Sequence, residues 1–270
     1  MMIDIEFASI TDRGLNPQKV VNEDSLLVMP DARIFAIADG VGGAYAGDVA
    51  SQSAVNAIQK KALDNRSKLS ASSEMVIDFV KGLIAEGNEV IYQLAQQEQR
   101  EMASTIALMA FARNFAIIGH VGDSRVYVYR KNKLHQLTKD HSRLQKILDS
   151  LPKKQRKNLE HVQSNIITKA LGVEPQVEPD LQKVLLKNED IFILCTDGIY
   201  NHNSPAEMLD NLKNNHHDLN LVCQIFKENC YQKGANDHLT AIVLRIKLLT
   251  DDLAKTQRIS RDELNQALKR

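Results

Sequence analysis

Three observations on this 270-residue sequence predict an α+β fold in which antiparallel sheets carry helices on their outer faces. Short apolar runs recur and end in acidic or glycine-bearing turns, as strands do. Two long stretches of helical period interrupt them early. Most connections between the runs are far shorter than the dozen or more residues that a parallel crossover needs. At this length one large domain with a sizeable core is expected, spanning residues 1–249.

Ser25–Met29 and Ile34–Ala38 flank Pro30-Asp31-Ala32-Arg33, a turn composition between β-prone segments, and so form a hairpin. Apolar residues then fall at Val49, Ala50, Ala54, Ala57 and Ile58 within 48–63, and at Val76, Phe79, Val80, Leu83, Ile84, Ile91, Leu94 and Ala95 within 74–100. These are two amphipathic helices joined by the polar link Asn65–Ser73. Thr105–Phe111, Phe115–Val121, Arg125–Tyr129 and Leu134–Leu137 follow with breaks of a few residues, which predicts a meander. Asp140–Gln163 is charged, weakly patterned and carries Pro152, as a mobile helical insertion would. Val184–Leu186 and Asp190–Thr196 are strand-like. Ser204-Pro205-Ala206-Glu207 is a capping box with proline at the first helical position, Leu219–Tyr231 is a further helix, and Leu239–Leu248 a last strand. The polar tail 250–270 holds one short helix at most, capped by Ser260 and Glu263.

Apolar residues at 43% and charged residues at 25% exclude a disordered or disulfide-stapled chain. Lys plus Arg (34) balances Asp plus Glu (34), so no global field draws the protein to nucleic acid or to an anionic membrane. Cys195, Cys223 and Cys230 lack the paired spacing of a zinc site, and the sequence shows neither a signal peptide nor a membrane span, so a cytoplasmic protein is expected.

The chemistry lies in the acidic residues. Asp39 and Asp197 end apolar runs, Asp123 follows one, and Asp24 and Asp237 stand just before others. In antiparallel sheets the end of one strand lies beside the start of its neighbour, so these positions can share one rim. Taken singly, an aspartate at a strand end is ordinary turn chemistry. Gathered together, such carboxylates repel one another unless hard divalent cations are bound between them, and the absence of His or Cys at ligand spacing favours Mg²⁺ or Mn²⁺ over zinc. Two such ions can activate a bridging water for attack on a phosphate ester.

The blocks Asn22-Glu23-Asp24-Ser25, Ala38-Asp39-Gly40-Val41-Gly42-Gly43, Gly122-Asp123-Ser124-Arg125, Leu137-Thr138-Lys139-Asp140-His141, Cys195-Thr196-Asp197-Gly198 and Asn236-Asp237-His238-Leu239-Thr240 come in a specific order. In that order and spacing the chain resembles the metal-dependent PP2C-type serine/threonine protein phosphatases of bacteria, over about residues 5–247. The resemblance implies a four-layer αββα sandwich with the metal centre at one end. It implies hydrolysis of phosphoserine and phosphothreonine in proteins through a metal-bridging water, with two Mn²⁺ or Mg²⁺ ions and a weaker third. By position, Asp39 resembles the bridging carboxylate and Gly40 a carbonyl ligand. Asp197 and Asp237 resemble ligands of the first ion, Glu23 and Asp24 residues acting through water on the second, and Asp123 a ligand of the third. Residues 140–171 correspond to the flap beside the active site. A phosphoprotein substrate, a cognate serine/threonine kinase pathway with its signalling role, and a monomeric state follow as expectations.

The chain departs from the family pattern at four places. Lys19 stands where the family carries a phosphate-gripping arginine, which keeps the charge but loses the planar two-pronged grip. His238 replaces an asparagine, Lys169 an arginine before Ala-Leu-Gly, and Val41 a candidate acid histidine of animal members. Lys19 and His238 therefore leave open a second class, a PP2C-like module that binds phosphoproteins or regulates a partner without turnover. His120 and His141 are expected to pack or cap, and Cys195 to lie in the core. A cysteine-based phosphatase is excluded because no arginine follows Cys195 five residues on, and an aspartate-based one because DxDx(T/V) is missing.

Overall fold

The structure is a computed structural model that describes residues 2–42, 46–65, 72–112, 114–152 and 166–249. The tail 250–270, most of the link 65–73, Gly43 and the stretch 153–165 of the flap region lie outside the described residues. The elements are β1 (Met2–Asp12), β2 (Asp24–Met29), β3 (Ile34–Val41), α1 (Gly47–Asp64), α2 (Ser73–Glu98), β4 (Ala103–Ser104), β5 (Ile106–Phe111), β6 (Phe115–Val121), β7 (Arg125–Arg130), β8 (Lys133–Gln136), α3 (Arg143–Ser150), β9 (Asp180–Leu185), β10 (Ile191–Cys195), α4 (Asp197–Tyr200), α5 (Pro205–Asn215), α6 (Leu219–Gln232) and β11 (Leu239–Leu249).

Two antiparallel sheets form the sandwich, in the orders β1-β11-β10-β7-β8 and β2-β3-β5-β6-β9, with β4 paired to β3. Three apolar cores separate four layers. Phe35, Ile37, Met109, Phe111, Phe192, Leu194, Ile242 and Leu244 fill the space between the sheets. There Phe111 sits edge-on to both Phe35 and Phe192 at 5.9 Å between ring centres, a favoured aromatic geometry. Helices α1 and α2 cover one sheet through Ala50, Ala54, Ile58, Val80, Leu83 and Ile84. Helices α5 and α6 cover the other through Met208, Leu212, Val222 and Phe226. The α+β sandwich with outer helix pairs is thus the fold observed. The capping box at Ser204 forms in both directions, and Asp218 caps α6 through the Leu221 N–H.

Two features differ from the sequence expectation. First, the opening eleven-residue strand β1, to which no element is assigned above, pairs with β11 from Met2↔Leu249 to Asp12↔Leu239. Its odd residues Ile3 and Ile5 join the core between the sheets, while Ala8 and Ile10 face the α5–α6 layer. The apolar residues change faces part-way along the strand, from Ile3 and Ile5 to Ala8 and Ile10, so no single alternating stripe runs its length. Second, the meander is broken. β6 pairs with β5 and β9 in one sheet, whereas β7 pairs with β10 and β8 in the other. The short connection Gly122–Ser124 passes from sheet to sheet instead of turning a hairpin, with Gly122 at φ +102° in a region that favours glycine. That corner sets Asp123 at the end of the sandwich. A smaller difference is that the edge strand β9 starts four residues before Val184, through the exposed polar residues Asp180, Gln182 and Lys183.

Candidate metal centre

The hairpin β2–β3 places Asp24 directly opposite Asp39. Like charges across a strand pair destabilise it, so sheet pairing alone does not account for this register. From the other sheet, the last β10–β11 pair is Cys195↔Ala241. Beyond it the Thr196 N–H donates to the Thr240 carbonyl at 3.0 Å, carrying the two chains side by side to Asp197 and toward Asp237. The Thr196 hydroxyl joins the sheets: it accepts from the Thr240 N–H at 3.1 Å and donates to Asp24 Oδ2 at 2.8 Å.

Close backbone approach needs small residues here. A Cβ on Gly198 would overlap the His238 carbonyl oxygen, and one on Gly40 would overlap the Gly47 carbonyl at the start of α1. Gly198 therefore lets the Asp197 and Asp237 loops touch, and Gly40 seats Asp39 against the helix. The Gly40 N–H donates to the Glu23 carbonyl at 3.0 Å, which brings Glu23 to the same rim. Asp123 joins through the next residue: the Ser124 and Thr105 hydroxyls share a hydrogen bond of 2.7 Å, and Thr105 Oγ1 accepts from the Asp39 N–H at 2.9 Å.

The electrostatics follow from that gathering. Burial raises the Asp24 carboxyl to about 7 despite its threonine hydrogen bonds, with the charges of Asp197 and Asp237 adding to the rise. Burial lifts Asp39 well above the carboxylate range, reinforced in order by Asp24, Asp197, Asp123 and Asp237. Burial and then Asp197 push Asp123 to about 7, and burial and then Asp237 push Asp197 to about 6. Burial also raises Glu23. Asp237 is the exception: burial acts upward, but the Lys19 ammonium, hydrogen-bonded to Asp237 Oδ1, brings it below the ordinary value.

Asp24 Oδ1 is buried without a hydrogen-bond partner. Four raised aspartates, one of them with an orphaned buried oxygen, together with Asp237 form an all-oxygen set suited to hard divalent cations. Among the described residues, ligand atoms of His120, His141 and Asp180 lie within 4.8 Å of one another.

Residues 17–243 match the family described as protein phosphatase 2C. The chain is 32% identical over 218 residues to the serine/threonine phosphatase stp of Listeria welshimeri, covering 80% of this chain and 85% of that protein. It is 33% identical over 210 residues to the protein phosphatase PhpP of Streptococcus pneumoniae, covering 76% and 83%. The chain belongs to the protein phosphatase 2C family. In three dimensions it is similar to the catalytic domain of the serine/threonine protein phosphatase PstP in complex with two manganese ions, with a TM-score of 0.78 and 29% identity over 91% of this chain and all of that one.

Within this protein phosphatase 2C chain the departures from the family pattern have definite places. Lys19 lies on the rim, paired with Asp237 and in the fields of Glu23 and Asp39. His238 is buried, with Nδ1 accepting from the Glu23 N–H at 3.4 Å and Nε2 buried without a partner. The Asp237 carboxylate accepts from the His238 backbone N–H at 2.9 Å, so the backbone, not the ring, orients Asp237. Val41 is exposed at the end of β3. Cys195 is buried in β10, and burial raises its thiol to about 12, which removes it as a nucleophile. No described helix is long and apolar enough to cross a membrane.

Proposed function

We propose that this chain is a metal-dependent hydrolase of phosphoserine and phosphothreonine in proteins, with Asp39, Asp197 and Asp237 holding the first ion. Asp39 and the Gly40 carbonyl, aided by Glu23 and Asp24 through water, serve a second ion, and Asp123 with Asp197 a weaker third. The observation that carries the proposal is the pairing of Asp24 with Asp39 across β2–β3, facing Asp197 and Asp237 from the other sheet. Divalent cations bound there supply an acidified water for attack and positive charge for the phosphoryl oxygens. Mn²⁺ and Mg²⁺ both suit the donor set, and the two manganese ions of PstP favour a pair of Mn²⁺.

The chain's own groups then divide the remaining work. Asp39, raised by burial and then by four neighbouring aspartates, would be favoured as a carboxylate by bound cations, which offset that repulsion. The Thr196 hydroxyl fixes Oδ2 of Asp24 and leaves Oδ1 without a protein partner. Lys19 supplies an ammonium at the rim for the incoming phosphate, as a point charge without a planar fork. Arg125 adds a second positive charge near Asp123 and Asp197. The likeness to named serine/threonine phosphatases supports turnover over the binding-module alternative.

A Mn²⁺ titration of phosphate release from a phosphothreonine peptide tests this reading. Turnover that rises with Mn²⁺, stops with a chelator and is lost in Asp39→Ala is expected. Release no faster than the peptide alone at any Mn²⁺ concentration would replace it with the binding-module reading. The cytoplasm, a monomeric state and a kinase-opposed signalling role fit a chain of this kind and belong to the same proposal.

A further inference from the structure

The triad His120, His141 and Asp180 has the composition of a cation site but not its hydrogen bonding. His120 Nε2 lies 2.9 Å from the Lys139 carbonyl oxygen, to which only a protonated ring nitrogen can bond. His141 Nδ1 accepts the Gly122 N–H at 3.1 Å, which leaves the ring proton on Nε2, 3.2 Å from Asp180 Oδ1. The two imidazoles are stacked, 4.8 Å apart and 14° from parallel, so their in-plane lone pairs do not converge on one point. These rings orient groups; they do not ligate.

What they orient is Gly122. The His141 backbone N–H donates to the Gly122 carbonyl at 2.9 Å while its ring accepts the Gly122 N–H, so one residue holds both polar groups of that glycine. Gly122 is the corner between the sheets, at φ +102°, and Asp123 is the next residue. Behind the ring, Asp180 takes the Nε2 proton and also an ammonium contact from Lys169 at 3.4 Å. The same His141 anchors the base of the flap region, since its carbonyl accepts the Thr168 N–H at 2.7 Å.

We propose that His141 is a positioning residue for the Asp123 cation: held in one tautomer by Asp180, its ring fixes Gly122 and thereby the direction in which Asp123 presents its carboxylate. This rests on the reading of Asp123 as a cation ligand. Partners of this kind change metal affinity by about ten- to a hundredfold when removed.

The test is Mn²⁺ binding by calorimetry, together with the thermal midpoint, on the full chain and on Asp123→Ala, His141→Ala, His141→Asn and Asp180→Ala. Asp123→Ala should abolish the weakest class of Mn²⁺ binding. His141→Ala should weaken that class about tenfold and leave the tighter ions in place. His141→Asn should return it to within about threefold, because an amide oxygen can accept the Gly122 N–H in place of Nδ1. Asp180→Ala, at a half-exposed position outside the core, should weaken the same class about threefold. An Asp123→Ala protein that binds all its Mn²⁺ normally would overturn the reading of Asp123 and this proposal with it. A loss in Asp123→Ala with wild-type binding in His141→Ala would overturn this proposal alone. So would weakening in His141→Ala that His141→Asn fails to restore while both have the same thermal midpoint.

Discussion

Strand β10 has a carboxylate beyond each end, and the two ends are chemically opposite. At its start, Asp190 is 1% exposed and fully partnered: Arg130 Nε donates to Oδ1 at 2.7 Å, Arg130 Nη2 to Oδ2 at 2.5 Å, and the Lys187 N–H to Oδ2 at 2.7 Å. Past its other end, Asp197 faces Asp237, Asp39 and Asp123, with Lys19 and Arg125 acting against that charge. One end is an internally neutralised brace. The other is a deficit of positive charge that the chain does not fill itself. A buried acid is therefore not by itself a sign of function; an acid whose neighbours are also acids is.

Asp39→Ala and Asp190→Ala should separate these roles completely. Loss of Asp39 should lower Mn²⁺-dependent turnover of an aryl phosphate by more than about 100-fold, since the ligand itself is lost and not merely its support. The same change should leave metal-free stability unchanged or higher, because it removes one of several repelling charges. Loss of Asp190 should strand the Arg130 cation and the Lys187 N–H and cost about 3 kcal/mol of unfolding free energy, with turnover per folded molecule unchanged. Denaturant melts and steady-state rates on the two variants give the comparison directly. A stability loss in Asp39→Ala equal to that in Asp190→Ala would mean that both ends are braces.

The pH dependence sharpens the same contrast. Asp24 and Asp123 titrate at about 7 and Asp197 at about 6 in the folded chain, against 3.8 for an unperturbed aspartate. Between about pH 4 and 7 the native state therefore holds protons that the unfolded chain has released. Unfolding there releases protons, so metal-free stability falls as pH rises through that window. A thermal midpoint about 5 °C or more lower at pH 8 than at pH 5 in chelator is expected, with Mn²⁺ reversing the trend at pH 8. A chelated protein whose midpoint rises across that window would show that the rim is neutralised from within, as the Asp190 end is.

Lys19→Ala should act on substrate more than on chemistry. The side chain is partly exposed and its charge serves at the rim, so KM for an aryl phosphate should rise about tenfold with kcat within about threefold. Progress curves over a range of substrate concentration resolve the two constants. An equal fall of kcat with KM unchanged would place Lys19 in the chemical step.

Local signals carried most of this molecule. The hairpin, the two long helices and the Ser204 capping box depend on residues close in sequence, and all three form as their turn residues, periodicity and cap predict. The acidic blocks were legible because each sits where an apolar run meets a turn. What escaped depends on distant partners. β1 is defined by β11, more than two hundred residues away, and its apolar residues switch faces between Ile5 and Ala8, which breaks the single alternating stripe that marks a strand. The corner at Gly122 looked like a hairpin turn because composition does not show which sheet a strand joins. With that corner hidden, His141 had no visible task, although it lies in a block whose other residues carried the resemblance.

His238→Asn is the smallest effect and the finest test of the rim. The imidazole meets the Glu23 N–H through Nδ1 but buries Nε2–H without an acceptor, an arrangement that costs about 1–3 kcal/mol for the unmet donor. The Asp237 carboxylate already has the His238 backbone N–H and Lys19 as donors, so the ring does not set its direction. An asparagine there offers an amide oxygen to the Glu23 N–H but brings an NH₂ group in place of the unmet ring donor, at the expense of some packing volume. These consequences oppose one another, so the thermal midpoint should move by no more than a few degrees, while Mn²⁺ affinity rises about threefold as Glu23 is held more firmly. Calorimetric binding on the variant reads both. Tighter binding would locate the defect in Glu23's support, and unchanged binding would show that the backbone alone orients this side of the centre and that histidine here is a neutral replacement.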